Sequence, residues 1–263
     1  MRTLSEPGYD PIERAERVKR SIAANDGETE LRRYYRFRAD RWYGGIITGD
    51  VIGCNLSCVF CWSWRFRDDP RLGRLLSPAE AFSRLEALAS ERRINKVRVS
   101  GGEPTLTRKH LIELIKLFEG SGRVFVLETN GILIGWDESY ASDLARLEGL
   151  VVRVSIKGCN PEEFHKLTGA RPSAFELQLK ALENLVNSGL KPGTEVYPAV
   201  MIGFSPDERV MELVERLRAL HPSFEDVDWE YVFLYPHVER KLKSLGLRPL
   251  RACSPSGVPR EMV

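Results

Sequence analysis

The sequence predicts an α/β fold built on a parallel sheet. Short apolar runs rich in β-branched residues alternate six times with segments of helical period, the pattern of repeated βαβ units. The helical segments start on cap-forming residues or stop at glycines, and the loops carrying Cys, Glu, Thr and Asn follow the strands directly. Residues 1–43 precede the repeat and read as a polar, mostly helical extension. GIITGDVIG (45–53) is the first strand and feeds a cysteine-rich loop. PAEAFSRLEALASERR (78–93) is a helix with Ser77 as N-cap and Pro78 in its first turn. KVRVS (96–100) is the second strand, and KHLIELIKLFEG (109–120) a helix closed at Gly120. RVFVLE (123–128) is the third strand, DESYASDLARLEG (137–149) a helix and LVVRVSIK (150–157) the fourth strand. SAFELQLKALENLVNSG (173–189) is a helix ending at a glycine, TEVYPAVMI (194–202) the fifth strand, PDERVMELVERLRALH (206–221) a helix and VDWEYVFLYP (227–236) the sixth strand. Six units are too few for a closed eight-stranded barrel. The conspicuous residues all fall where a strand ends and a loop begins, which is where α/β barrels build their sites.

With 263 residues and 43% hydrophobic content the chain can bury one large core. No apolar run approaches the ~18 residues of a membrane span. The start, MRTLSEPGYDPIERAERVKR, lacks the apolar region of a secretory signal, so a cytoplasmic protein without membrane attachment is expected. A net charge of +2 does not imply a nucleic-acid-binding chain. The basic character is local: LRRYYRFRADRW (31–42) mixes five Arg with four aromatics. It reads as an amphipathic segment packing Tyr34, Tyr35 and Trp42 on the sheet, with a stacking and phosphate surface as the alternative.

Cys54, Cys58 and Cys61 fall within eight residues, spaced C-x3-C-x2-C. They offer three thiolates and no fourth. Electron-transfer four-iron clusters take four Cys ligands; a cluster held by three leaves one iron open to chemistry. A structural zinc site needs four ligands, and the remaining Cys159 and Cys253 are distant and unpaired in the sequence. A disulfide framework suits a small secreted chain.

This loop resembles that of the radical S-adenosylmethionine (SAM) superfamily. The resemblance implies a 4Fe-4S cluster on Cys54, Cys58 and Cys61, with SAM chelated at the open iron by its amino and carboxylate groups. One electron then splits the sulfonium to give a 5′-deoxyadenosyl radical. It also implies a partial (β/α)6 TIM-type barrel with a short N-terminal extension: 1–43 the extension, 44–245 the barrel core and 246–263 a C-terminal tail. Phe60, before the last cysteine, matches an aromatic position near the adenine. Trp62 and Trp64 follow, as a solvent shield or as a docking surface. In VSGGEPTL, Gly101 and Gly102 permit close backbone approach, Glu103 offers a carboxylate to a cation and Pro104 fixes the turn. The family's GGEP segment holds the SAM amino group.

Four further segments resemble the branch of pyruvate formate-lyase activating enzyme. In LETNG, Glu128, Thr129 and Asn130 are expected to converge on one rim. In VSIKG, Lys157 matches a lysine that pairs with the SAM carboxylate, and Ser155 stands where that branch has an Asp. Glu128 and Ser155 both depart from the branch's cation-binding aspartates. NPEEFHKLTGA resembles the stretch that follows, and FLYPH places His237 near the SAM ribose or adenine.

The reading is a radical SAM enzyme of oxidoreductase type, taking hydrogen from an unidentified small-molecule or protein substrate and reduced by a one-electron donor such as ferredoxin or flavodoxin. Alternatives within enzymes are a glycyl-radical enzyme activase and an RNA-modifying enzyme. Outside enzymes the alternative is an iron–sulfur electron carrier or sensor, which has no use for GGEP, ETNG or a strand-end lysine. Cys159 and Cys253 read as a buried small residue and an idle thiol, or as a hydrogen-atom donor to a substrate radical.

Overall fold

A computed structural model describes residues 7–257. Helix α1 (Pro11–Ile22) starts from an Asp10 cap, whose side chain accepts from the Ile12 amide at 2.8 Å. It leads into a hairpin of β1 (Ala23–Asp26) and β2 (Thr29–Asp40). The extension is therefore not mostly helical. Residues 31–40 lie in a strand because Tyr34, Tyr35 and Phe37 favour extended backbone, and because burial alternates through Glu30, Arg32 and Tyr34.

Strands β3 (Ile46–Val51), β5 (Lys96–Ser100), β6 (Val124–Thr129), β7 (Leu150–Ile156), β8 (Val196–Met201) and β9 (Asp228–Glu230) follow one another in the sheet, all parallel. The hairpin adds antiparallel through β2 to β3, and β4 (Arg74–Leu76) pairs with β2. β1 and β9 are the two ends of an open sheet. The sheet is thus a partial barrel, and the expected boundary at residues 43–44 falls inside it.

Helices α2 (Trp64–Arg67), α3 (Pro78–Arg92), α4 (Arg108–Lys116), α5 (Ile132–Trp136), α6 (Glu138–Leu144), α7 (Pro161–Thr168), α8 (Phe175–Asn187), α9 (Asp207–Leu220) and α10 (Pro236–Ser244) complete the chain. α3 starts on a full capping box, Ser77 with Glu80. α4 stops at Lys116, a turn before the expected Gly120.

The expected sixth strand divides. Its first part is β9. At Tyr231 the chain leaves the main sheet, and β10 (Val232–Phe233) pairs parallel with β11 (Ala252–Cys253). Leu234 N donates to Cys253 O at 3.0 Å, so the described part of the tail is folded back onto the barrel. The first residues of the expected extension (1–6) and the last of the expected tail (258–263) lie outside the described residues.

Strand periodicity divides the side chains into two sets. Val97, Val99, Phe125, Leu127, Val152, Val154 and Val196 are buried under the helices, against Leu85, Leu114, Leu144 and Leu182. Burying each is worth roughly 1.5–3 kcal/mol. The alternate positions, Thr48, Asp50, Arg98, Glu128, Arg153, Ser155, Asp228 and Glu230, form the polar inner face of the barrel.

Candidate active site

The cysteine loop leaves the end of β3. Cys58 is buried and Cys54 and Cys61 are half-buried, and all five cysteines among the described residues are free. Cys54 Sγ accepts from the Leu56 amide at 3.3 Å, and Cys61 Sγ lies 3.4 Å from Ser63 Oγ. Burial pushes the Cys54 thiol up to about 12 and Cys58 to about 11. Arg67 opposes this at both thiols, with Lys157 at Cys58 and the Leu56 amide at Cys54. Among the described residues no three His, Cys, Asp or Glu side chains converge on one metal ion. Three unpaired soft donors spread along one loop, with buried cations beside them, have the chemistry for a polynuclear cluster in which each thiolate takes its own iron.

His237, in the first turn of α10, secures this loop. Its Nε2 is 2.6 Å from Trp62 O. A carbonyl only accepts, so Nε2 carries the proton. In this structure His237 tethers the cluster loop. Phe60 is buried, its ring 6.1 Å from that of Phe204. Trp62 lies under Arg36 and Arg38 at 5.9 and 5.7 Å, and Trp64 under Lys241 at 4.9 Å.

The GGEP turn follows β5 and packs backbone to backbone on the cysteine loop. A Cβ on Gly102 would sit 2.3 Å from Gly53 O, so only glycine fits. Glu103 N donates to Gly53 O at 2.8 Å, and Pro104 opens a short 3-10 turn. The Gly101 carbonyl accepts from Ser63. The Glu103 carboxylate differs from expectation. It is buried and accepts from Thr105 N (3.1 Å), Thr105 Oγ1 (2.7 Å), Thr129 Oγ1 (2.7 Å) and Asn130 N (2.9 Å). Three of those donors converge on Oε1 and one on Oε2, so the carboxylate braces the β5 and β6 loops together. Behind it, fully buried Arg32 donates to Ile52 O at 2.7 Å and Glu103 O at 3.2 Å.

In LETNG the expected convergence fails at Glu128, because neighbouring strand residues face opposite ways. Thr129 and Asn130 turn to Glu103, and Asn130 Nδ2 reaches Asn55 Oδ1 at 2.7 Å beside Cys54. Glu128 points into the barrel, where it accepts from Arg98 at 2.6 Å and Tyr43 at 2.5 Å. Gln178, from α8, joins β6 to β7: it donates to Asn130 O and Ser155 O and accepts from Lys157 N at 3.1 Å.

Lys157 directly follows β7, beside the cysteine loop. Its Nζ donates to Ser155 Oγ and to Glu230 Oε2, the latter at 2.9 Å. Glu230 also receives Arg153 at 2.6 Å and the Ser155 hydroxyl. Burial raises the Glu230 carboxyl, but Lys157 and Arg153 outweigh it and hold the group at about 2. Burial likewise disfavours the Lys157 ammonium, and Glu230 more than offsets this, so its pKa is raised. In the lumen Arg98, Arg153 and Lys157 are ion-paired with Glu128, Asp228 and Glu230, with Arg36 and Arg38 on Asp50 at the rim. The sequence reading missed these partners. Their signal was a charged or hydroxyl residue at alternate positions: Lys96, Arg98 and Ser100 in KVRVS, and Arg153, Ser155 and Lys157 in LVVRVSIK.

An open parallel barrel that delivers three free thiols beside a lysine and a GGEP turn has the construction of an iron–sulfur enzyme that binds SAM. The chain belongs to the Radical SAM superfamily, whose description matches residues 51–217. Enzymes of this superfamily use a 4Fe-4S cluster and SAM. The chain is 36% identical over 200 residues to a protein of Methanopyrus kandleri named "Probable GTP 3',8-cyclase", covering 74% of this chain and 61% of that protein. A protein of Methanosarcina acetivorans with the same name is 35% identical over 156 residues, covering 57% and 45%. The chain thus spans less than two thirds of these relatives' length. They carry the cyclase name, not that of the activating-enzyme branch expected from ETNG and VSIKG. In fold it is similar to SuiB of Streptococcus suis bound to SAM, with TM-score 0.53, 18% identity and coverage of 80% and 46%. It is also similar to the hydrogenase maturase HydG of Carboxydothermus hydrogenoformans, with TM-score 0.55, 18% identity and coverage of 76% and 50%. No helix among the described residues is long and apolar enough to cross a membrane.

Proposed function

We propose that this radical SAM enzyme takes a hydrogen atom from a small anionic substrate held inside the barrel, with a purine nucleoside triphosphate such as GTP as its substrate class. One observation carries the reading: the lumen below the cysteine loop holds Arg98, Arg153 and Lys157 in fixed positions, each braced by a carboxylate. Phosphate or carboxylate oxygens of a substrate can take the places of those carboxylates on the cations. The cyclase name of the relatives supports a nucleotide.

In this reading Cys54, Cys58 and Cys61 hold the cluster, and with SAM it supplies the 5′-deoxyadenosyl radical. Lys157 faces the SAM carboxylate once that anion draws it from Glu230. The Gly102 carbonyl, which accepts no hydrogen bond from the described residues, receives the SAM ammonium, with Gly101, Pro104, Thr129 and Asn130 shaping the turn. Ser155 holds the position of Lys157. Trp62, Trp64 and Phe60 shield the loop from water, and His237 fixes it.

The test is anaerobic reconstitution followed by product analysis with SAM and GTP. The expected result is release of 5′-deoxyadenosine that GTP accelerates, with consumption of GTP. SAM cleavage that GTP leaves unchanged, together with no GTP binding, removes the nucleotide and leaves the radical SAM class intact.

A further inference from the structure

The cysteine loop has a second face, turned away from the lumen. Helix α1 sets Arg14, Arg17, Val18 and Ser21 along one side, at the i, i+3, i+4, i+7 spacing of a single helical stripe. Opposite stand Arg67 and Asp68 at the end of α2. Between them opens a cleft of about 270 Å3 in which Cys54 is the one cysteine. The charge of its walls is one-sided. Three guanidiniums face one carboxylate, and Asp68 is already held by Arg67 Nε at 2.8 Å and by Arg14 at 3.7 Å. Phe66 of α2 and Leu72 in the turn that follows it are exposed apolar side chains.

We propose that this cleft is the docking site of an acidic one-electron carrier protein, and that Cys54 is the cluster ligand through which the electron enters. The inference rests on the cluster reading above and adds the route of reduction. In the step, the carrier is oxidised by one electron and the cluster is reduced by one; no bond forms and no proton moves. The lumen side of the loop is taken by SAM and substrate, so a protein carrier must approach from outside, and this cleft brings a thiolate ligand to the surface. A positive rim steers an acidic partner and raises its rate of encounter. Redox encounters of this kind need only a small interface.

The experiment uses the reconstituted full chain, with reduced flavodoxin as the acidic carrier and photoreduced 5-deazariboflavin as a small uncharged reductant. Arg17→Glu is the first variant, because Arg17 is exposed and forms no ion pair among the described residues, and Arg14→Glu/Arg17→Glu is the second. Arg216→Glu/Arg218→Glu on α9 is a distant control with the same change in net charge as the double variant. The expected result for the double variant is a fall of at least about tenfold in the flavodoxin rate constant at low salt, with loss of its salt dependence. Iron content, cluster spectrum and the deazariboflavin rate stay those of the parent, as does the flavodoxin rate of the distant control. Flavodoxin binding before the cluster is installed, measured by calorimetry, should weaken in the same order. Cluster-loaded Arg17→Glu and double variants reduced by flavodoxin at the parent rate overturn the site. Equal losses in the distant control overturn it too, since net charge then explains the effect. Failure of the parent to bind iron counts against the cluster reading instead, and the calorimetry still decides the docking surface.

Discussion

Replacing Glu103 separates two roles that a carboxylate in this turn can have. As a brace it stabilises the protein with no cofactor present; as a SAM ligand it matters only once SAM is bound. The structure gives it four donors, two of them the backbone amides of Thr105 and Asn130. In Glu103→Gln the side-chain NH2 must face one of those sites. The least costly choice is to face Asn130 N, which leaves one buried amide unsatisfied, because both hydroxyls lie at the other oxygen. Such an orphan costs about 1–3 kcal/mol, so about 2 kcal/mol is expected. Glu103→Ala orphans both amides and leaves a void, for about 4 kcal/mol. At about 2–4 °C per kcal/mol for a chain of this size, the melting temperature should fall by about 4–8 °C and about 8–16 °C. The assay is thermal unfolding of protein stripped of iron and SAM. An Ala variant that melts with the parent but loses SAM affinity after reconstitution refutes the brace and restores the carboxylate as a ligand.

Ala at Cys54, Cys58 or Cys61 should each abolish the cluster absorbance and most of the bound iron, whereas Ser at Cys159 or Cys253 should leave both unchanged. Glu230 is held at about 2 against an ordinary 4.5. Its ion pairs therefore contribute fully above pH ~4.5, and about 3 kcal/mol is lost as the pH falls towards 2. Denaturant titrations from pH 7 to 2 should show the parent's advantage over Glu230→Gln flat at first and then shrinking in that window; a constant difference down to pH 2 counts against the pairing. Arg32→Met removes a buried positive charge near the loop, so the cluster's midpoint potential should move negative by an amount on the order of 1 kcal/mol with iron content retained. An unchanged potential in a redox titration separates Arg32 from the cluster.

Much of the barrel was legible because its strands carry both periods at once. KVRVS matches β5 residue for residue, and LVVRVSIK overruns β7 by one. The misses have physical causes. Segment 31–40 looks like a charged helix face while its neighbours are unknown; it becomes β2 because β3 offers an unpaired edge, and a bulge between Tyr34 and Arg36 lets Arg36 reach Asp50 at 2.6 Å. VDWEYVFLYP reads as one strand, but its second half finds β11 some 20 residues further along the chain, and no local pattern announces a partner at that distance.

The site was legible in its covalent and backbone demands and illegible in its charge partners. Three cysteines at fixed spacing state a ligand set, and Gly102 states a close approach, because each requirement is local to the loop that meets it. Lys157 was readable as a strand-end cation, yet its partner Glu230 lies on a strand 73 residues away. Glu103 shows the same limit from the other side: its neighbours in sequence suggest an outward carboxylate, and the donors that turn it inward come partly from β6 and the loop after it. The lumen follows from this. A buried cation is costly unless paired, so an inward Arg on one strand requires an inward acid within reach, on the next strand or the one beyond it. Arg98 meets Glu128 and Arg153 meets Glu230 for that reason. An arriving anion must exchange with those carboxylates instead of filling an empty charge, which favours substrates carrying several negative charges over neutral ones of the same shape.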